Sequence, residues 1–131
     1  MAAIGLCLAA TACQDPDRAI MNKEDMLIAA GFKFVPANTP ERQASFRTLP
    51  PHRFVRQVNG DKVIYIYPDP TICVCIYVGG QKAYATYQAR RLQKNIADER
   101  AEAAADMSMA NWDWGPWGPM GWPYADPAFF Y

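Results

Sequence analysis

Cys73 and Cys75 are the residues whose type and spacing could do chemistry in this chain: two thiols one residue apart in the run Ile72-Cys73-Val74-Cys75-Ile76-Tyr77-Val78. Such a pair can close a disulfide, exchange with other thiols, or hold Cu(I), which thiolate and thioether donors select, with Met107 or Met109 in reach as further ligands. In a regular strand, positions two apart lie about 6.6 Å apart with parallel Cα–Cβ vectors, whereas a disulfide needs Cβ atoms about 3.5–4.5 Å apart. Either the backbone bulges to close a tight ring, or both thiols stay reduced as small buried hydrophobes, and the apolar run favours the second. A closed zinc site needs four ligands, and two thiols with the single histidine, His52, fall short unless a carboxylate joins them.

His52 follows Pro51 with Ser45 and Thr48 near it in sequence, but no glycine-flanked nucleophile pattern supports a Ser-His-acid triad. Asp69 stands between Pro68 and Pro70, where an acid serves the turn by bonding the backbone just after it. Tyr65, Tyr67, Tyr77, Tyr84 and Tyr87 read as core aromatics rather than a ligand groove. No catalytic residue is assigned, no cofactor is expected, and the chain is not expected to be an enzyme.

Cys13 carries a different chemistry. Residues Ala2 to Ala12 are uncharged, an apolar stretch the length of a secretory core and too short to span a bilayer. Leu8-Ala9-Ala10-Thr11-Ala12-Cys13 resembles the lipobox of bacterial lipoproteins, which implies a signal peptide over residues 1–12 and a lipid on the Cys13 thiol. A lipidated linker, residues 13–21, would follow, and the protein would face the periplasm from a membrane, the outer membrane above the inner. Removal of Cys7 and lipidation of Cys13 leave Cys73 and Cys75 as the only side-chain thiols, in a compartment where pairs tend to oxidise.

The elements that must position these groups form one domain over residues 22–106. Asn22 can cap a short helix opening Lys23-Glu24-Asp25, with Met26, Leu27 and Ala30 inward and Gly31 ending it. Phe32 to Val35 alternates like an edge strand, and Thr39-Pro40 starts a second helix that stops before Pro50-Pro51. Phe54–Val58 and Lys62–Tyr67 flank Asn59-Gly60, a hairpin signal that sets Val55 opposite Ile64 and Phe54 opposite Tyr65. Ile72 to Val78, apolar on both faces, is expected to be the most buried strand, broken by Gly79-Gly80.

Gln81 to Ala105 reads as a long helix with a Tyr84, Gln88, Leu92, Ile96 stripe, its first half covering the sheet with Tyr84, Tyr87 and Leu92 and its Ala- and charge-rich end, from Asp98, projecting outward. The expected class is therefore α+β: a small three-stranded antiparallel meander, which a fourth short edge strand can join, packed by helices.

Residues 107–131 hold all four tryptophans, Trp112, Trp114, Trp117 and Trp122, with Pro or Gly every few positions. Proline and glycine rule out a continuous helix, so a disordered aromatic tail dispensable for folding is expected. Its tryptophans would dock on an envelope protein, a cell-wall component or the membrane surface. Thirteen Lys+Arg balance thirteen Asp+Glu, so no overall field attracts nucleic acid, and Arg42, Arg47, Arg53, Arg56 and Lys62 read as a solvated surface.

Leu49-Pro50-Pro51-His52, Tyr65-Ile66-Tyr67-Pro68-Asp69-Pro70, Cys73-Val74-Cys75-Ile76-Tyr77-Val78-Gly79 and Ala83-Tyr84-Ala85-Thr86-Tyr87-Gln88 together resemble a family of small proteobacterial lipoproteins. The resemblance spans roughly residues 26–88 and implies an address without an activity, cofactor or partner. The expected function is a non-enzymatic envelope lipoprotein that binds a protein or envelope component. The alternative is a thiol-based Cu(I)-binding or redox protein using Cys73 and Cys75.

Overall fold

The computed structural model describes residues 16–94, 107–109, 112–119 and 121–130. Residues 1–12, expected as a signal peptide, Cys13, and the helix end expected from Asp98 lie outside the described residues.

Helix α1 runs Pro16–Ala30, starting six residues before the expected Asn22 cap. Proline is pre-organised for a first turn, and Gly31, at φ 111°, closes the helix in the left-handed region. Strand β1 (Lys33–Pro36) and helix α2 (Pro40–Phe46) follow as expected, with the Arg42 amide donating to Thr39 Oγ1 at 3.1 Å to cap α2.

Strands β2 (Val55–Asn59), β3 (Lys62–Asp69) and β4 (Cys75–Gly80) make the antiparallel meander, and β1 pairs with β4 at its edge. A two-residue strand β5 (Met107–Ser108) adds in parallel to β2, giving the order β1-β4-β3-β2-β5 among the described residues. The hairpin register differs from expectation. Asn59 pairs with Lys62, so the two-residue loop is Gly60-Asp61 and Val55 faces Ile66. Gly60 carries the positive φ, 65°, at the first loop position, where a tight hairpin turn accepts glycine. A shift of two leaves each side chain on its expected face.

Gly79 and Gly80 do not break β4; they are its last residues, and helix α3 (Gln81–Lys94) starts directly after them. Their missing side chains admit close neighbours: a Cβ on Gly79 would press on the Phe32 ring, and one on Gly80 would collide with the Phe129 carbonyl.

One sheet face is covered by α1 and α3, with Leu27, Phe32, Phe54, Tyr65, Tyr67, Cys75, Tyr77 and Tyr87 in a shared core. Tyr84 and Tyr87 cover the sheet as expected, Tyr84 stacking on Tyr65 with ring centroids 3.8 Å apart and Tyr87 buried, while Leu92, expected beside them, faces outward. Large flat rings gain more from the sheet than one leucine does.

The opposite face carries Val55, Ile64, Ile66, Ile76 and Val78, and what covers it is α2 together with the C-terminal segment. Trp112, Trp114 and Trp117 are buried there with Phe129, and Trp122 packs against them. This overturns the free tail and takes Trp112, Trp114 and Trp117 out of reach as docking anchors, while Trp122 stays half-buried. Short turns, Gly115–Trp117, Trp122–Ala125 (α4) and Pro127–Phe129, replace a continuous helix. Proline and glycine forbid regular structure there without forbidding burial.

Polar groups seat this strap. The indoles of Trp112 and Trp117 donate to Thr48 Oγ1 at 3.1 Å and Ser45 Oγ at 2.8 Å, so these hydroxyls are spent on packing. Arg42 donates to the carbonyls of Pro116 and Pro36 at 2.9 and 3.2 Å, and Lys62 to that of Tyr124 at 3.0 Å. Two of the cations read as a solvated surface are therefore clamps. The Tyr124 phenol is pushed up to about 12 by burial.

Candidate functional site

The chemistry-bearing side chains meet at the end of the sheet where β3 turns into β4. Asp69 closes β3 with its side chain fully buried, and its carboxylate takes the turn amides: Thr71 at 2.8 Å and Ile72 at 3.2 Å on Oδ1, Cys73 at 3.3 Å on Oδ2. The expected turn role is present. Burial alone would raise the Asp69 pKa, but the hydrogen bond from Glu24 and the three amides outweigh it and hold the carboxyl below its ordinary value.

Cys73 and Cys75 are joined by a disulfide. This corrects the expectation of reduced thiols. Cys73 lies in the turn rather than the strand, and Val74 adopts φ 48°, drawing the two Cα atoms to 5.2 Å, inside the disulfide range. For a β-branched residue this left-handed conformation is an outlier, and the Ala37 amide holds it by donating to the Val74 carbonyl at 3.0 Å. Among the described residues only His52, at φ 56°, is another non-glycine with positive φ, and it borders the same turn. Backbone outliers of this kind concentrate at functional sites.

Glu24 comes from α1. Read as a first-turn acid, it sits instead in mid-helix on the stripe of Leu27, with 7% of its surface exposed. Its Oε1 lies 4.0 Å from the Cys73 sulfur, and Asp69 Oδ2 lies 3.5 Å from that sulfur. Burial, then the hydrogen bond and charge of Asp69, raise its pKa from an ordinary 4.5 to about 8. At neutral pH the two carboxyls therefore hold one proton between them. Glu24 also hydrogen-bonds Tyr77, and burial drives the Tyr67 and Tyr77 phenols well above their ordinary range.

His52 joins the rim. Its Nε2 is 2.9 Å from Thr71 Oγ1, and its Nδ1 is 3.4 Å from the Tyr67 hydroxyl and 3.9 Å from Asp69 Oδ1. Ser45 and Thr48, its sequence neighbours, face the tryptophan strap instead. Lys23 lies 4.5 Å over the Tyr67 ring, closing the other side.

The Cys73 half of the bridge is partly exposed and Cys75 is buried, while Ile72 and Val74 on either side of Cys73 are 39% and 42% exposed. The expected soft-metal set does not assemble: Met109 packs on the opposite face of the sheet, and both sulfurs are spent on the bridge. Glu24, Asp69 and Cys73 are the one close trio of such groups among the described residues, but in this state the sulfur has no thiolate to offer and the carboxyls share a proton. A separate cleft of about 420 Å³, walled by Lys62, Lys82, Tyr124 and Phe130, gathers no comparable cluster.

The sequence carried a signal for Glu24 that composition hides: an acid three residues before Leu27 on a helix whose apolar stripe must face the sheet. No protein-family model, no curated protein and no solved structure matches the chain. Among the described residues, no helix is long and apolar enough to cross a membrane. Fold and site together define a class, a small α+β domain with a disulfide set beside a buried carboxyl pair.

Proposed function

We propose that this protein performs thiol–disulfide exchange through Cys73 and Cys75 in the bacterial cell envelope, held at the membrane by a lipid on Cys13. The observation that carries the reading is the bridge itself: it spans one residue in a left-handed conformation, joins a half-buried Cys73 to a buried Cys75, and sits against two carboxyls that share a proton. A structural disulfide gains from full burial and an unstrained backbone, whereas strained or exposed ones exchange more readily. Ile72 and Val74 flank the half-buried Cys73 with exposed apolar surface suited to an unfolded or extended polypeptide.

Partner binding through the tryptophans has less support, because three of the four are committed to the core. The reading needs no resident cofactor, and its substrate class is a dithiol polypeptide rather than nucleic acid.

Equilibration of the oxidised protein in glutathione buffers of graded ratio, with thiols trapped by alkylation, tests the reading. The bridge is expected to open reversibly across the range between the cytosolic and periplasmic poise; a bridge that stays closed throughout is structural, and the proposal is then wrong. The address has its own check: labelled palmitate and membrane fractionation, both lost in Cys13→Ala.

A further inference from the structure

We infer that Glu24 is the acid–base group of this site, passing its carboxyl proton to the Cys73 sulfur and recovering it from there, with Asp69 as the residue that positions it. The inference rests on the thiol–disulfide reading and adds a residue and a step to it.

The geometry distinguishes the two carboxyls. Asp69 is pinned by the amides of Thr71, Ile72 and Cys73, so its negative charge is satisfied by fixed donors and it gains nothing from a proton. Glu24 meets Asp69 and the Tyr77 hydroxyl, and its Oε1 is 4.0 Å from the sulfur that must change its protonation. Two buried carboxyls in hydrogen-bond contact cannot both be ionised cheaply, so the proton between them rests on Glu24. That agrees with the rise in its pKa to about 8 under burial and the Asp69 contact.

The groups around the pair are Lys23 and Asp25 from α1, Tyr67 from β3, Tyr77 from β4, Tyr87 from α3, and His52 from the loop before β2. The Tyr67 and Tyr77 phenols stay neutral across the working range, since burial raises them. Among these groups only Glu24 is acidic, protonated at neutral pH and within about a hydrogen bond of the sulfur.

In the oxidising direction, with a dithiol polypeptide as substrate, one substrate thiolate attacks Cys73, because Cys75 is buried. The new bond joins the substrate sulfur to Cys73, the Cys73–Cys75 bond breaks, and its electron pair leaves on Cys75. The second substrate thiolate then attacks the first substrate sulfur, forming the substrate disulfide and breaking its bond to Cys73, whose sulfur takes the Glu24 proton as it leaves. Glu24, left as a carboxylate beside Asp69, regains a proton from solvent. The two protons released by the substrate thiols balance the two taken up, one by Cys75 and one by Cys73 through Glu24. In the reverse direction the same carboxylate takes the Cys73 proton and frees the nucleophile.

The test uses the full-length protein, a dithiol peptide as substrate, and Glu24→Gln, which keeps the shape and hydrogen bond of the protonated acid. Oxidation of the peptide is expected to slow by about a hundredfold in the variant, with loss of a break near pH 8 that the parent shows, while the bridge still opens fully in excess dithiothreitol. Equal rates and pH profiles in parent and variant overturn the role of Glu24 and leave the exchange reading standing. A parent that does not oxidise the peptide at all removes the exchange reading and this inference with it. Carbon NMR of the Glu24 carboxyl is a check that needs no variant: titration in the ordinary carboxylate range, unchanged by reduction of the bridge, overturns the inference even if Glu24→Gln fails to fold.

Discussion

Gln57, buried in strand β2, donates its side-chain amide to the Trp112 carbonyl at 3.0 Å, while its oxygen accepts from the Trp114 indole and, at 3.0 Å, from the Tyr124 hydroxyl. One polar side chain on an otherwise apolar sheet face thus satisfies three groups of the C-terminal strap. Because buried polar groups are costly when unpaired, the position reads as a latch.

Truncation after Asp106 is therefore expected to unfold the domain rather than free it of a tail. It strips the cover from Val55, Ile64, Ile66, Ile76 and Val78. Trp117→Ala alone should cost about 3–5 kcal/mol and Gln57→Ala about 1–3 kcal/mol, read from urea midpoints at constant slope. A truncated chain that melts like the parent would show that the strap does not hold the core.

Gly80→Ala tests the docking at a single atom. The added methyl meets the Phe129 backbone carbonyl, which cannot rotate away as a side chain would. A loss of about 1–3 kcal/mol and a red shift of tryptophan emission are expected as the strap lifts. Unchanged emission and stability would mean that the strap approaches the sheet less closely at this point.

Val74→Gly addresses the bridge. Glycine adopts φ 48° without the steric cost that valine bears, about 1–3 kcal/mol for such outliers, and that cost is relieved when reduction lets the backbone relax. The variant's disulfide should be harder to open, with its glutathione equilibrium displaced about tenfold toward the oxidised form. An equilibrium identical to the parent's would remove Val74 from the account of the bridge.

The carboxyl pair sets a pH dependence of stability. Glu24 holds its proton more tightly in the fold, at about 8 against an ordinary 4.5, so its contribution is full below pH 4.5 and is lost as pH rises through about 8. Asp69 is shifted the other way, and its contribution is present above 3.8 and lost as pH falls through its lower folded value. Between pH 5 and 8 Glu24 governs: stability should fall with pH, by up to about 1.4 kcal/mol per unit, and Glu24→Gln should flatten that slope. Chemical denaturation of both proteins across this window gives the comparison, and parallel slopes would deny Glu24 the proton.

Much of the local structure follows from the chain read alone. The Thr39-Pro40 start of α2, the edge strand ending at Pro36, the β2–β3 hairpin and the both-sided burial of β4 rest on interactions among near neighbours, which residue type and spacing specify directly. The paired cysteines were legible as a candidate site, with a bridge open to them only where the backbone leaves the regular strand. What only the tertiary structure decided is who meets them and what covers the sheet. Glu24 stands forty-nine positions from Cys73, and Trp112 fifty-five from Gln57. Their partnerships depend on how α1 and the strap pack, with no local pattern to announce them. An apolar run buried on both faces already required a second cover, but an interval rich in proline and glycine disguised it, because those residues report the absence of regular backbone hydrogen bonding and say nothing of whether the rings beside them are buried.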